Sequence, residues 1–208
     1  ARTDSVARHP DVVAKLRKAG FATVFLGLEK IDAEGLASID KSNSVEHNEA
    51  ALRVLKKAGI NTFGSLIVDP DYDEGDFRRL WEYVRRKAIP NAWFTVLTPL
   101  PGTELFEQLQ DRLTTRNWEI FDLAHAVLPT KLGLEEFYRQ YARLYTAVYT
   151  PRVLVKRVWS AVFNRQGRSV GGLPSPALAW SSLGTLRCMA DPQEYLLGHR
   201  EESHVAGS

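Results

Sequence analysis

Leu16-Arg17-Lys18-Ala19-Gly20-Phe21-Ala22-Thr23-Val24-Phe25-Leu26 runs from a helix-like segment through a Lys-Ala turn into an apolar strand. The pattern returns at Leu55-Lys56-Lys57-Ala58-Gly59-Ile60-Asn61 and on into Thr62-Phe63-Gly64-Ser65-Leu66-Ile67-Val68. A third copy, Arg86-Lys87-Ala88-Ile89-Pro90, replaces the turn glycine with Ile-Pro and leads into Trp93-Phe94-Thr95-Val96-Leu97. Lys18, Lys57 and Lys87 fall 39 and then 30 residues apart. That spacing holds one helix, two short loops and one strand, so the chain reads as a βα repeat with parallel strands. Each strand ends in a different polar cluster: Gly27-Leu28-Glu29, Asp69-Pro70-Asp71 and Thr98-Pro99-Leu100-Pro101-Gly102-Thr103. In parallel βα architectures the chemistry sits at the carboxyl ends of the strands, which directs attention to these three clusters.

The rest of the chain sets bounds. A length of 208 residues suffices to bury roughly 70% of the unfolded surface in one sizeable core. No apolar run approaches the roughly 18 residues of a membrane span. The polar start, Ala1-Arg2-Thr3-Asp4-Ser5, lacks the pattern of a signal peptide, and the single cysteine, Cys188, suits a reducing, cytoplasmic compartment. The net charge of +2 hides an asymmetry, because residues 137–190 contain no Asp or Glu but eight Lys and Arg. A stretch of that kind suggests an anionic partner surface. No recognised nucleic-acid module accompanies the charge, which argues against nucleic acid.

The elements follow from local signals. Residues 1–5 read as the tail of a strand, and His9-Pro10 opens a helix with Pro in its first turn. Asn43 with Glu46 resembles a capping box for a helix over Val45–Ala58. Asn61–Val68 is a strand whose near-continuous apolar run suits cover on both faces. Acidic Asp73, Glu74 and Asp76 open a helix that Arg85, Arg86 and Lys87 close, and Thr103 caps another to about Leu113. Short helices are also read at Asp32–Ile39 and Ala177–Met189. Leu134–Tyr149 is a strong amphipathic helix, Pro151 restarts a second one through Phe163, and the last ten residues lack structural signals.

Three strand ends taken together resemble the cobalamin-binding class of radical S-adenosylmethionine (SAM) enzymes. The matching pieces are Arg2-Thr3-Asp4, Val24-Phe25-Leu26-Gly27-Leu28-Glu29 with Lys41, Gly64-Ser65-Leu66-Ile67-Val68-Asp69-Pro70, and Leu97-Thr98-Pro99-Leu100-Pro101-Gly102-Thr103-Glu104-Leu105. The later pieces Trp118-Glu119-Ile120-Phe121-Asp122, His125-Ala126-Val127-Leu128-Pro129-Thr130-Lys131 and Leu134-Glu135-Glu136-Phe137-Tyr138 resemble the hopanoid C-3 methylases. The resemblance implies an α/β fold. Residues 1–115 would form a partial (β/α) barrel, the back half of a radical SAM TIM-type barrel. An α-helical extension at 116–165 and a loop-rich tail at 166–208 would follow. It further implies a methyltransferase that acts on an unactivated carbon of a hopanoid-type lipid, with SAM, a [4Fe–4S] cluster and cobalamin as cofactors and an external electron donor. The three-cysteine cluster motif and the cobalamin domain are absent from these 208 residues, so the chain reads as a carboxyl-terminal fragment, inactive alone.

Residue by residue, the resemblance puts Arg2, Glu29, Ser65, Thr98 and Pro99 at the SAM site. Glu29 would accept hydrogen bonds from ribose hydroxyls or the SAM amino group, or else pair with a nearby lysine. Arg2 would fork onto the methionyl carboxylate, or else form an ordinary salt bridge to Asp4 or Glu29. Ser65 touches cofactor or substrate if it faces a barrel lumen, and otherwise fills it. Thr98 and Pro99 belong to a rigid turn that packs near the adenine in the family. His125 is a substrate-pocket residue or a packing residue. No metal ligand set is read from the chain. Three other functions stay open: another reaction of the same cobalamin-type radical SAM class, a cyclisation or rearrangement; a phosphate-binding βα barrel using the helix start at Thr103; and a non-catalytic module that meets a membrane or partner through residues 137–190.

Overall fold

The computed structural model describes residues 1–31, 44–87, 89, 91–148 and 191–200. Chain order runs α1 (Thr3–Arg8), α2 (Pro10–Lys18), β1 (Thr23–Glu29), α3 (Val45–Ala58), β2 (Asn61–Val68), α4 (Glu74–Lys87), β3 (Asn91–Val96), α5 (Glu104–Leu109), α6 (Leu134–Val148) and α7 (Pro192–Arg200). The strands form one sheet in the order β1-β2-β3, with β1 parallel to β2. The fold class is α/β with a small parallel sheet. The helices read at Asp32–Ile39, Pro151–Phe163 and Ala177–Met189 lie outside the described residues.

The repeat has a physical basis. After each helix a backbone N–H reaches back five residues, from Phe21 to Leu16 O (3.0 Å), Ile60 to Leu55 O (3.0 Å) and Ile89 to Val84 O (3.3 Å). This is the six-to-one bond of a Schellman cap, and both residues of each pair are apolar, as that motif prefers. Gly20 at φ +98° and Gly59 at φ +69° supply the left-handed residue in the first two copies. The turn stops the helix and delivers the chain directly into a strand.

The chain divides into two compact units, and the division falls within β2, α4 and β3. The first holds residues Ala1–Leu66 and Tyr83–Trp93. Its core is Leu26, Leu28, Ala51, Leu55, Ile60, Leu66 and Ile89, all buried. These side chains lie on one face of β1 and β2. The other face is partly open: Phe25 stacks on Phe63 at 5.6 Å, Phe63 meets Trp93 at 6.0 Å, and Phe25 remains 54% exposed. Burial along β2 therefore alternates, and the expected cover on both faces is not what the described residues show.

The opening residues also differ from expectation. Only Arg2 pairs as a strand, bridging in parallel to Gly27, and α1 begins at Thr3. Thr3 and Val6 turn inward and α1 packs on α3, so burial favours a helix over a longer strand. The cap of α3 is Ser44, whose Oγ accepts from His47 N at 3.2 Å, rather than Asn43.

The second unit holds Ile67–Glu82, Phe94–Ala147 and residues 191–200. Its core is aromatic: Phe77, Phe94, Phe137, Tyr138, Tyr141 and Tyr145 are buried. Phe77 packs edge-on to Phe137 at 5.4 Å, and Phe94 to Tyr145 at 5.1 Å. The amphipathic face of α6 is thus a packing face. The outer edge of β3 is occupied as well. Tyr141 Oη donates to Phe94 O at 2.7 Å, Tyr145 Oη to the same oxygen at 3.3 Å, and Val96 N to Leu123 O at 2.7 Å. Helix α7 was not expected from its sequence. Tyr195 anchors it by stacking on Tyr138 at 5.3 Å.

Candidate functional site

In the first unit, the carboxyl end of β1 departs from a regular strand. Gly27 pairs with Ser65 and Glu29 with Leu66, which leaves Leu28 as the extra residue of a β-bulge. Glu29 has φ +61°, and Lys30 N donates across it to Leu28 O at 2.8 Å. That is a γ-turn with positive central φ, a rare and strained geometry. A left-handed backbone costs a side-chain-bearing residue about 1–2 kcal/mol. Strain of this sort gathers where a side chain must be aimed.

The Glu29 side chain folds over Gly27. A Cβ built on Gly27 would meet Glu29 Oε1 at 3.4 Å. Ser65 stands beside Gly27 in register on the neighbouring strand. From α3, the fully buried Asn48 reaches this turn. Its Nδ2 donates to Leu28 O at 2.9 Å and to Lys30 O at 3.1 Å, the two carbonyls flanking Glu29. Lys30 is itself buried. The strand end thus presents a half-buried carboxylate over a glycine, held from behind. Such a group can accept hydrogen bonds from hydroxyls or an ammonium.

Arg2 flanks α1 on its amino-terminal side. Its side chain is largely exposed and Nε pairs with Asp4 Oδ1 at 3.2 Å.

In the second unit, Thr98 and Pro99 are buried just beyond β3. Thr98 Oγ1 donates to Val96 O at 3.0 Å, leaving its oxygen able to accept only. Thr103 N donates to Leu100 O at 3.2 Å around Pro101 and Gly102, whose φ of +81° suits the third position of a type II turn. Thr103 then caps α5 by accepting from Phe106 N at 3.2 Å. A cavity of about 260 Å³ opens at this end of the unit, lined mainly by Pro70, Tyr72, Leu97, Leu109, Leu128 and Pro129, with Asp69, Asp71 and Arg112 at its polar side. Its floor is braced by Lys131, whose N donates to Pro70 O at 3.0 Å and whose Nζ pairs with Asp73 at 3.0 Å. The Lys131 hydrogen bond, helped by the Asp76 N–H, holds the Asp73 carboxyl well below its ordinary range.

His125 does not line that cavity. Its Nδ1 pairs with Asp122 Oδ2 at 2.9 Å, while Asp122 Oδ1 accepts from Ala124 N and His125 N. Burial pushes the Asp122 carboxyl up, but the His125 hydrogen bond and the two backbone donors outweigh it and leave it below the usual value. The ring sits among Tyr138, Tyr195 and His199, and Tyr138 Oη accepts from Ala126 N at 2.7 Å and meets His199 Nε2 at 2.8 Å. Among the described residues no group of three His, Cys, Asp or Glu side chains is placed to hold a metal ion. Sequence reading singled out Glu29 and Ser65 and passed over Asn48. Its only signal was a polar residue on the apolar face of α3.

No family model matches the chain. Among curated proteins it is 38% identical over 96% of its length to hopanoid C-3 methylase of Methylococcus capsulatus, covering 38% of that protein. It is 30% identical to bacteriochlorophyllide d C-12(1)-methyltransferase of Chlorobaculum tepidum, over 74% of this chain and 35% of the relative. It is 25% identical to anaerobic magnesium-protoporphyrin IX monomethyl ester cyclase of Cereibacter sphaeroides, over 83% of this chain and 28% of the relative. The chain therefore spans well under half the length of the relatives it matches. With the strand-end motifs above, these similarities identify the chain as a member of the radical SAM family of methyltransferases and cyclases.

Proposed function

We propose that this chain is part of a cobalamin-type radical SAM methyltransferase that methylates an unactivated carbon of a hopanoid-type triterpenoid lipid. The observation that carries the SAM reading is Glu29, a carboxylate held in a strained turn over Gly27 at the carboxyl end of a parallel strand. The substrate class follows the similarity to hopanoid C-3 methylase along nearly the whole chain.

SAM, when bound, supplies the radical and methyl chemistry of the family. The residues of this chain bind and orient it. Glu29 accepts from the ribose hydroxyls or the ammonium, Ser65 offers a hydroxyl beside it, and Gly27 leaves the strip between them open. The [4Fe–4S] cluster does not fit these 208 residues, because iron–sulfur clusters take cysteine thiolates and the sequence holds one cysteine, Cys188. Cluster, cobalamin and contact with an electron donor are assigned to other parts of the whole enzyme, and this chain alone is inactive in this reading.

The acid-free stretch 137–190 supports a cytoplasmic enzyme that meets anionic membrane to reach its substrate. Most of that stretch lies outside the described residues. Within it, Arg139 is already paired with Glu135 and Glu136, so the membrane reading rests on the later cations. No helix among the described residues is long and apolar enough to cross a membrane.

The decisive experiment incubates reduced full-length enzyme with methyl-labelled SAM and a desmethyl hopanoid in vesicles, then analyses the lipid by mass spectrometry. Label in the hopanoid ring supports the proposal. Label in a tetrapyrrole offered in parallel, with none in the hopanoid, would overturn the substrate assignment.

A further inference from the structure

We propose that Asn48 is a positioning residue that holds the Glu29 carboxylate in its SAM-binding orientation. The inference rests on the reading of Glu29 as a SAM ligand.

Three observations converge on it. Glu29 occupies a backbone conformation that L side chains rarely adopt, at φ +61°. The two carbonyls on either side of it, Leu28 O and Lys30 O, both receive the same Asn48 amide nitrogen, at 2.9 and 3.1 Å. Lys30 N closes the turn on Leu28 O at 2.8 Å, so Leu28 O accepts twice. A bulged turn of this kind relaxes to a regular strand unless its surroundings hold it. In a regular strand Glu29 would shift one place in register and its side chain would change face. The Asn48 amide ties both ends of the turn to a rigid helix and so prevents that relaxation.

The burial of Asn48 strengthens the argument. Its side chain is fully buried on the inner face of α3, next to Ala51 and Leu55 in the core. A buried amide in an apolar core is costly unless its groups are used. Here both protons of Nδ2 are used, and Oδ1 has no hydrogen-bond partner among the described residues. The donor half of the amide is thus the half with a task, and that task lies at Glu29. Only Asn fits it among similar side chains. Asp has the shape but no protons to give, and Leu has the volume but no polarity.

The test measures SAM binding by the full-length protein in titration calorimetry, with thermal unfolding alongside. The variants are Glu29→Gln, Asn48→Asp and the double substitution, with Asn48→Ala as the substitute if the Asp variant fails to fold. Each single change should weaken SAM binding about tenfold, the scale of one lost charge-assisted hydrogen bond. In the Glu29→Gln background the Asn48 change should add less than about twofold, because Asn48 acts through the carboxylate. If Glu29→Gln weakens binding and Asn48→Asp lowers only the melting temperature, Asn48 is a packing residue and the proposal fails while the SAM reading stands. Fully additive losses would also overturn it, by giving Asn48 a separate route. If Glu29→Gln leaves binding unchanged, the SAM reading itself fails and takes the proposal with it.

Discussion

Replacing Glu29 by glycine should make the protein more stable than replacing it by alanine, the reverse of the usual order. Both substitutions remove the carboxylate and every contact it makes, so the comparison isolates a single Cβ at φ +61°. In ordinary strand conformations glycine is less favourable than alanine by roughly 0.5–1 kcal/mol. At left-handed φ the alanine Cβ crowds the following carbonyl and costs about 1–2 kcal/mol, which glycine avoids. The difference leaves Glu29→Gly ahead by about 0.5–1 kcal/mol. For a chain of this size that is a rise in melting temperature of roughly 1–4 °C. Urea unfolding of the two variants at equal slope measures it directly. An alanine variant more stable than the glycine variant by about 0.5–1 kcal/mol, the ordinary order, would show that residue 29 carries no left-handed strain, and the argument for a stressed, pre-aimed carboxylate would collapse. The same glycine variant should lose SAM affinity, so stability and binding move in opposite directions at one position.

Three further outcomes follow from other parts of the structure. Tyr141→Phe and Tyr145→Phe should each cost about 1 kcal/mol or less, since Phe94 O keeps one donor. The double variant should cost more than their sum by leaving that buried oxygen unpaired, which a double-mutant cycle in urea reads out. Gly64→Ala should destabilise by about 1–3 kcal/mol, because its Cβ would sit 2.9 Å from Leu28 Cδ1 and 3.2 Å from Ile89 Cγ2 in a packed core; an unchanged melting temperature would contradict the packing described. Burial, with Glu49 adding to it and Arg86 opposing it, raises the Tyr83 phenol to about 12. A raised folded value means the contribution is intact below pH 10 and is lost as pH climbs from about 10 to 12. Tyr83→Phe should flatten that loss in alkaline unfolding curves. At neutral pH it should cost nothing, since the buried hydroxyl has no partner among the described residues.

The parts of the fold set by local rules were legible in the sequence. The Lys-Ala turns marked three helix ends because the Schellman cap needs only neighbours along the chain: an apolar residue before and an apolar residue after, with left-handed Gly20 and Gly59 at the turn in the first two copies. The bounds of α3 and β2 agree with the structure for that reason. Features that depend on partners far along the chain were not legible. The bulge at Leu28 is a fact about how β1 pairs with β2, and nothing in Gly27-Leu28-Glu29 announces it. Asn48 looked like an interruption of an apolar helix face because its two acceptors lie about twenty residues upstream. Helix α7 is weakly amphipathic, and the buried Tyr195 that secures it shows only once Tyr138 and His199 are in place. At the site, Glu29 stood out by its position at a strand end and Ser65, inside β2, by the family resemblance, whereas the cavity around Tyr72, Leu109 and Leu128 is assembled from loops and helix ends separated along the chain.

The hydroxyls of Tyr141 and Tyr145 and the carbonyl of Leu123 have a consequence for self-association. They occupy backbone groups on the outer side of β3 that would otherwise template another strand. A molecule approaching that side finds Phe94 O and Val96 N already taken, which hinders fibre growth by strand addition there. The aromatic helix α6 therefore does for solubility what a lysine or proline does at most exposed sheet margins.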